Sequence, residues 1–266
     1  MTSQLPDSSH PEVDFQTVNV IGLPVAVITY TTAIEWIKWA ALKNDRAYAV
    51  EAANTHVAAL SRKDESFGRA MAQFDLICPD GMPLVWAINR ELPDDQKLTD
   101  RVYGPTLMLK TIEATQGQPE LKHFLFGSKE STLGRLEKRF SEDYPDTEIA
   151  GAYAPPFGEW PEDEFERIYD KILKSGANLV WVGLGCPKQE RWIAKHKEKL
   201  PPAVYFGVGS AFSIHAGEVK QAPKMLQRYG LEWAYRLFQE PWRLWKRYSK
   251  FNPLFVYYYL KTKKEK

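Results

Sequence analysis

The stretch ANLVWVGLGCPKQERWIAKHKEKLPPAVYFGVG, residues 177–209, decides the fold. ANLVWVGLG is a short run apolar on both sides that ends in glycines. PKQERWIAKHKEKL is polar with apolar residues at helical spacing. AVYFGVG is again a short apolar run ending in glycines. A strand without polar alternation is covered on both faces, and a helix between two such strands makes them parallel neighbours.

The same alternation extends towards the N-terminus. YAVEAAN, FDLICPDG, KHFLFG and TEIAGAYA read as strands. TAIEWIKWAALK, a segment ending near Met71, PTLMLKTIEA, STLGRLEKRF and DEFERIYDKILKSG read as helices, the last closed by Gly176. TVNVIGLPVAVIT holds two short strand candidates around a Gly-Leu-Pro turn. The expected class is α/β: a mostly parallel, Rossmann-like sheet flanked by helices, with right-handed crossovers. The alternation stops near Gly217. The expected organisation is a disordered tail over 1–16, an α/β catalytic domain over 17–218 and a helical, basic and aromatic appendage over 219–266.

The 266 residues are 44% hydrophobic and 26% charged, an ordinary globular composition. The two cysteines, Cys78 and Cys186, show neither disulfide nor metal spacing, which points to a reducing cytosol. The polar start, MTSQLPDSSHPEVDF, does not read as a signal peptide, and no run reaches the roughly 18 apolar residues of a spanning helix. The net charge of +1 conceals an asymmetry. Residues 220–266 carry twelve Lys or Arg against three Glu, so the remainder is acidic. A cationic end seeks phosphates: a nucleic acid, an anionic membrane or a phosphorylated ligand.

Ligands of an open parallel sheet bind beyond the carboxyl ends of its strands. Those ends carry Asn54, Pro79-Asp80-Gly81, Gly127-Ser128, Gly183-Leu184-Gly185-Cys186-Pro187 and Gly207-Val208-Gly209-Ser210. Glycine turns leading into helices suit a nucleotide diphosphate, although such turns also form for purely local reasons. Neither turn is a GxGxxG followed by an acid about 20 residues on, and no GxxxxGK[ST] loop occurs. Asp80 reads either as part of a Pro-Asp-Gly turn or as a carboxylate at the ligand edge able to accept a proton. Asn54 reads as a helix cap or as a ligand for a sugar hydroxyl. Arg101 would pair with a phosphate, with Asp80, or with solvent. Gln189 can donate and accept towards a sugar or base, whereas capping suffices for Glu190. His56, His123, His196 and His215 show no defensible pairing.

Four stretches taken together resemble the WecG/TagA/CpsF glycosyltransferases: CPDGMPLVWA, RVYGPTLML, VGLGCPKQERWIAKHKEKL and FGVGSAFSIHAGEVKQAPKMLQRYGLEWAYRLFQEPWRLWKRY. The resemblance spans roughly residues 17–250. It implies an inverting, metal-free hexosyltransferase that needs no cofactor. Such an enzyme uses a UDP-sugar donor and a polyprenyl-diphosphate-linked sugar acceptor, on the inner face of the cell membrane. It implies Asp80 as the base and Asn54, Arg101 and Gln189 in the pocket. Gly127, Gly183, Gly185, Gly207 and Gly209 fall at the turns, and Arg228, Arg236 and Arg243 reach donor diphosphate and anionic membrane. Departures from the family pattern fall at Ala52, Ser210, Ser213 and Gln221. The alternative is a non-catalytic nucleotide-sugar or lipid-binding protein. A nucleic-acid partner is not expected, because RNA-binding motifs are missing and the remainder is acidic. A homo-oligomer is left open.

The stretch 232–266 mixes Trp, Tyr and Phe with Arg and Lys, as a membrane–water interface would select. The expectation there is a helix, a break at Pro241 and a second short helix. Leu231, Trp233 and Leu237 are expected to pack inward, and Trp242, Trp245 and Tyr257 to Tyr259 to remain outside.

Overall fold

The structure, a computed structural model, describes residues 13–265. A hairpin, β1 (Thr17–Val20) and β2 (Leu23–Ala26), precedes α1 (Tyr30–Lys43) and β3 (Ala47–Ala53). Then come α2 (Thr55–Lys63), α3 (Glu65–Met71), β4 (Leu76–Pro79), α4 (Met82–Asn89) and α5 (Gly104–Ala114). The chain continues through β5 (Lys122–Gly127), α6 (Glu130–Asp143), β6 (Glu148–Tyr153), α7 (Glu164–Ser175), β7 (Leu179–Gly183), α8 (Lys188–His196) and β8 (Ala203–Gly207). It ends in α9 (Ala211–His215), α10 (Lys224–Arg228), α11 (Glu232–Gln239) and α12 (Pro241–Glu265).

Strands β3 to β8 form one parallel sheet in the order β4-β3-β8-β7-β5-β6. The alternation at 177–209 becomes β7-α8-β8, and both strands are buried on both faces. Trp181, Val204 and Phe206 join α1, α5 and α6 in one core layer. Val180, Val182 and Tyr205 join Ile168, Ile172 and Ile193 of α7 and α8 in the other. The connection from β5 leads outward to β6, while that from β7 leads back to β8. The winding therefore reverses between β5 and β7, which opens a crevice at the carboxyl ends.

Local chemistry accounts for several departures from expectation. The hairpin turns at Ile21 and Gly22, both at positive φ (53° and 98°), and Asn19 Oδ1 accepts the Gly22 N–H at 2.7 Å. Leu23 and Pro24 already belong to β2. The segment ending near Met71 is two helices divided at Asp64, whose Oδ1 caps the second through Phe67 N (3.0 Å). Of the expected tail, residues 1–12 lie outside the described residues. Val13 and Phe15 pack against the core, with Phe15 edge-on to Trp36.

A third core layer joins the hairpin, α2, α3 and α4 to the C-terminal segment through Phe255 of α12. His56 meets Phe251 edge-on at 4.4 Å, and Thr55 Oγ1 donates to Asn252 Oδ1 at 3.0 Å. The break between α11 and α12 falls at Glu240. Pro241 opens α12, where a missing N–H costs nothing, and the helix then runs 25 residues through Pro253 instead of being short. Trp242, Trp245 and Tyr257 are exposed as expected. Tyr258 and Tyr259 instead pack on the core, while Leu231 and Trp233, expected inside, are 44% and 41% exposed, Trp233 lying edge-on to Tyr248. Among the described residues no helix is long and apolar enough to cross a membrane.

Candidate active site

A cleft of about 790 Å³ lies between the carboxyl ends of β3, β4, β7 and β8 and a wall formed by α11 and α12. Asp80 stands at its rim, one residue past β4. Its backbone N–H donates to Ala53 O at 2.8 Å, an extension of the sheet register. Its Oδ1 accepts the Gly104 N–H at the start of α5 at 2.7 Å. Asn54 does two things at once. Its Oδ1 caps α2 through His56 N and Val57 N (3.0 and 3.3 Å), and its amide hydrogen-bonds Asp80. Burial pushes the Asp80 carboxyl up to about 6. The Arg101 guanidinium and the Gly104 N–H pull it down, Glu232 pushes it up, and Asn54 pulls it down again. A carboxyl that titrates near neutrality is the result.

Arg101 is buried and engaged by the protein itself. Its Nη1 donates to the Asp80 carbonyl at 3.2 Å, and its Nη2 donates to Gln227 Oε1 at 3.2 Å and pairs with Glu232 at the start of α11. Its guanidinium lies over the Tyr103 ring at 4.2 Å. Of the three partners weighed for Arg101, a phosphate, Asp80 or solvent, the structure gives it Asp80, within an internal clamp that ties Asp80 to the C-terminal segment.

The glycine turns also differ from expectation. Gly185 and Gly209 do not present their N–H groups to the cleft, because both donate to Gln189 Oε1 at 3.1 Å. Gln189 is buried and acts as a clip between the turns instead of an open ligand. Gly183 and Gly207 are glycines for packing reasons. A Cβ on the first would strike the Phe212 ring at 2.5 Å, and on the second the Glu51 carboxylate at 2.0 Å. Gly127 sits behind Gly183, where a Cβ would meet its carbonyl carbon at 2.8 Å, and does not line the cleft.

Arg236 lines the wall and donates from Nη1 to Ser210 Oγ at 2.9 Å, while its Nε has no partner among the described residues. The Nε of Arg247, one turn beyond Arg243 on the same wall, is likewise buried and unpartnered. Arg243 lines the cleft but is largely exposed and engaged by Glu240 (Nε to Oε1, 2.8 Å). Arg228 is exposed and lies outside the cleft. Of the departures, Ala52, Ser210 and Ser213 line the cleft, whereas Gln221 is exposed away from it. Among the described residues no group of three or more His, Cys, Asp or Glu could hold a metal ion.

The profile of the glycosyl transferase WecG/TagA/CpsF family matches residues 18–266. The chain belongs to this family. It is therefore a glycosyltransferase. An N-acetylglucosaminyldiphosphoundecaprenol N-acetyl-beta-D-mannosaminyltransferase of Bacillus subtilis strain 168 is 26% identical over 251 residues, covering 94% of each chain. One of the same name from Bacillus spizizenii strain W23 is 27% identical over 217 residues, covering 82% of this chain and 80% of its own.

Sequence reasoning missed Glu51, Glu232 and the cleft role of Arg247, and assigned Glu190 a cap. Glu51 had a signal: it is the one charge inside the apolar run YAVEAAN. Glu190 is fully buried, adjoining Glu51 beneath the floor. Glu232 gave no sequence signal that separates it from its charged neighbours, whereas the spacing of Arg236, Arg243 and Arg247 by seven and four suits one helical face, and all three line the cleft.

Proposed function

We propose that the protein transfers an N-acetylhexosamine of the ManNAc type from a UDP-sugar to a polyprenyl-diphosphate-linked amino sugar, in cell-surface polysaccharide synthesis at the inner face of the cell membrane. The observation that carries this reading is the Asp80 carboxyl, raised to about 6, at the rim of a cleft whose opposite wall presents guanidinium groups. The names of both Bacillus relatives supply the sugar and acceptor class.

In this mechanism Asp80 takes the proton of the acceptor hydroxyl as that oxygen attacks the anomeric carbon. Inversion follows from a single displacement. Charge develops on the departing diphosphate. The engaged amides of Gly185 and Gly209 leave that charge to Arg236 and Arg247, whose side chains line the cleft before the substrate arrives. The acceptor's lipid enters from the side of α12, where Trp242, Trp245, Tyr257 and Leu260 are exposed among Arg243, Lys246 and Lys250. Aromatic side chains favour the bilayer interface, and each basic residue near anionic lipid contributes about 1 kcal/mol.

Asp80→Asn tests the reading. It keeps the contact to Gly104 and removes the base. UDP binding should persist, while UDP release from UDP-ManNAc plus lipid acceptor should fall at least about a hundredfold. Near-wild-type turnover removes Asp80 from the mechanism. Absence of release in the wild type favours a binding protein of the same fold.

A further inference from the structure

Two carboxyl side chains lie at the cleft floor, Glu51 among its lining and Glu190 behind it, and neither the proton transfer nor the diphosphate calls for them. Glu51 projects from β3 and is 2% exposed, and Glu190 projects from the first turn of α8 and is fully buried. Each leaves its Oε2 without a hydrogen-bond partner among the described residues. Gln189 Nε2 donates to Glu190 Oε1 at 3.1 Å, and Gln189 Oε1 holds the N–H groups of Gly185 and Gly209. The three side chains crowd under the second turn: a Cβ on Gly207 would stand 2.0 Å from Glu51 Oε2 and 3.0 Å from Gln189 Nε2.

The charged and titratable groups facing this cluster are Cys78 of β4, Asp80 just beyond it, and Cys186 ahead of α8, whose side chain hydrogen-bonds Glu190, with Arg247 of α12 beside Cys186. None of them neutralises two anions. A pair of adjoining carboxylates, both ionised and both dry, carries a desolvation penalty of several kcal/mol per ion plus mutual repulsion. One proton between them removes the repulsion and turns two orphaned oxygens into a donor and an acceptor. Burial and the adjoining Glu190 raise Glu51 well above the carboxylate range, and burial raises Glu190 too, in the direction this requires.

We propose that Glu51 and Glu190 are positioning residues: they share one proton, and this acid pair holds Gln189 in the orientation that pins the two glycine turns. Only the donor-affinity arm of the test rests on the proposed function.

Infrared spectroscopy at about pH 8, where Asp80 is ionised, should show a protonated-carboxyl carbonyl band that disappears in Glu51→Gln and in Glu190→Gln. A wild-type spectrum without that band, or one unchanged in both variants, overturns the proposal. The sign of the stability effect is fixed. A carboxyl whose folded pKa is raised favours the fold while protonated, and that contribution is lost as pH rises through the folded value. The wild-type Tm should therefore fall with alkaline pH more steeply than that of Glu51→Gln; parallel slopes count against it. For positioning, the probe is UDP in titration calorimetry. Glu51→Leu should weaken UDP by about tenfold, and Glu51→Gln, which keeps a donor in that place, should recover most of the loss. Equal losses in Leu and Gln would refute the positioning role. If UDP fails to bind the wild type, the donor reading fails, while the infrared and Tm arms still decide the shared proton.

Discussion

The floor of the cleft and its C-terminal wall are built on opposite principles. The floor consists of strand ends and glycine turns whose polar groups are turned on one another. Gln189 takes both turn amides, and Asp80 holds Gly104 and Asn54. The wall consists of helices that line the cleft with Arg236, Arg243 and Arg247 and leave Trp242 and Trp245 exposed outside. On the proposed function, a floor whose turn amides and Asp80 are engaged internally positions the proton acceptor. On the same proposal, a wall of cationic side chains with exposed apolar surface suits ligands that arrive from outside, one a diphosphate and one a lipid surface. The difference assigns chemistry to one side and recognition to the other.

The two sides meet at the Arg101–Glu232 pair, and breaking it is the most severe way to challenge the comparison. Both side chains are less than one-tenth exposed. Glu232→Ala leaves a guanidinium buried beside Asp80 with only Gln227, a carbonyl and a ring for company. Removing one partner of a buried pair costs about 3–5 kcal/mol. Chemical denaturation should show a loss of that size, and the wall should detach from the floor at lower denaturant than the sheet unfolds. A loss below about 1 kcal/mol would mean that the wall is held by the Phe255 and Phe251 contacts and owes the floor nothing.

A gentler probe is pH. Asp80 must be ionised to accept a proton, so kcat/KM should rise with pH through about 6 and level off above it. Below that point the rate should fall about tenfold per pH unit. The same shift opposes stability. A carboxyl raised in the fold contributes while protonated, so its share is present below the ordinary carboxylate range and is lost as pH rises through about 6. Vesicle binding by the wall should not follow this curve. A common pH profile for turnover and vesicle binding would erase the division between the two sides.

The parallel sheet was legible because its evidence is local: doubly apolar strands, helical spacing and glycine turns at 177–209 name β7, α8 and β8 almost residue by residue. Asp80 was legible for the same reason, as the polar residue immediately beyond a buried strand. What was not legible depends on partners distant in sequence. Whether Gly185 offers its N–H to a ligand depends on where the Gln189 side chain points. Whether Arg101 is a phosphate ligand depends on Glu232, which lies 131 residues away. Composition marked α11 and α12 as amphipathic but not which aromatic faced which way. Trp233 and Tyr258 exchanged their expected places because α12 packs on α2 through Phe251 and Phe255. Glu51 shows the reverse case: its oddity was visible in an apolar strand, but its meaning needed Glu190, brought there by α8.

The mildest challenge concerns the outer surface of the wall. Trp242 is 95% exposed and so contributes little to packing in the free protein. Trp242→Ala should leave Tm unchanged yet weaken binding to anionic vesicles by roughly 1–2 kcal/mol, part of the value of burying a large side chain. Lys250→Ala should cost about 1 kcal/mol on the same vesicles, roughly fivefold, and nothing on neutral ones. Salt separates the two. At about 1 M ionic strength the Debye length shrinks to about 3 Å, so the lysine effect should vanish while the tryptophan effect persists. UDP binding should follow neither substitution, since both side chains point away from the cleft lining. If Trp242→Ala weakened UDP as much as vesicles, the wall would be a single ligand-binding surface, and its division into an inner face for the diphosphate and an outer face for lipid would be false.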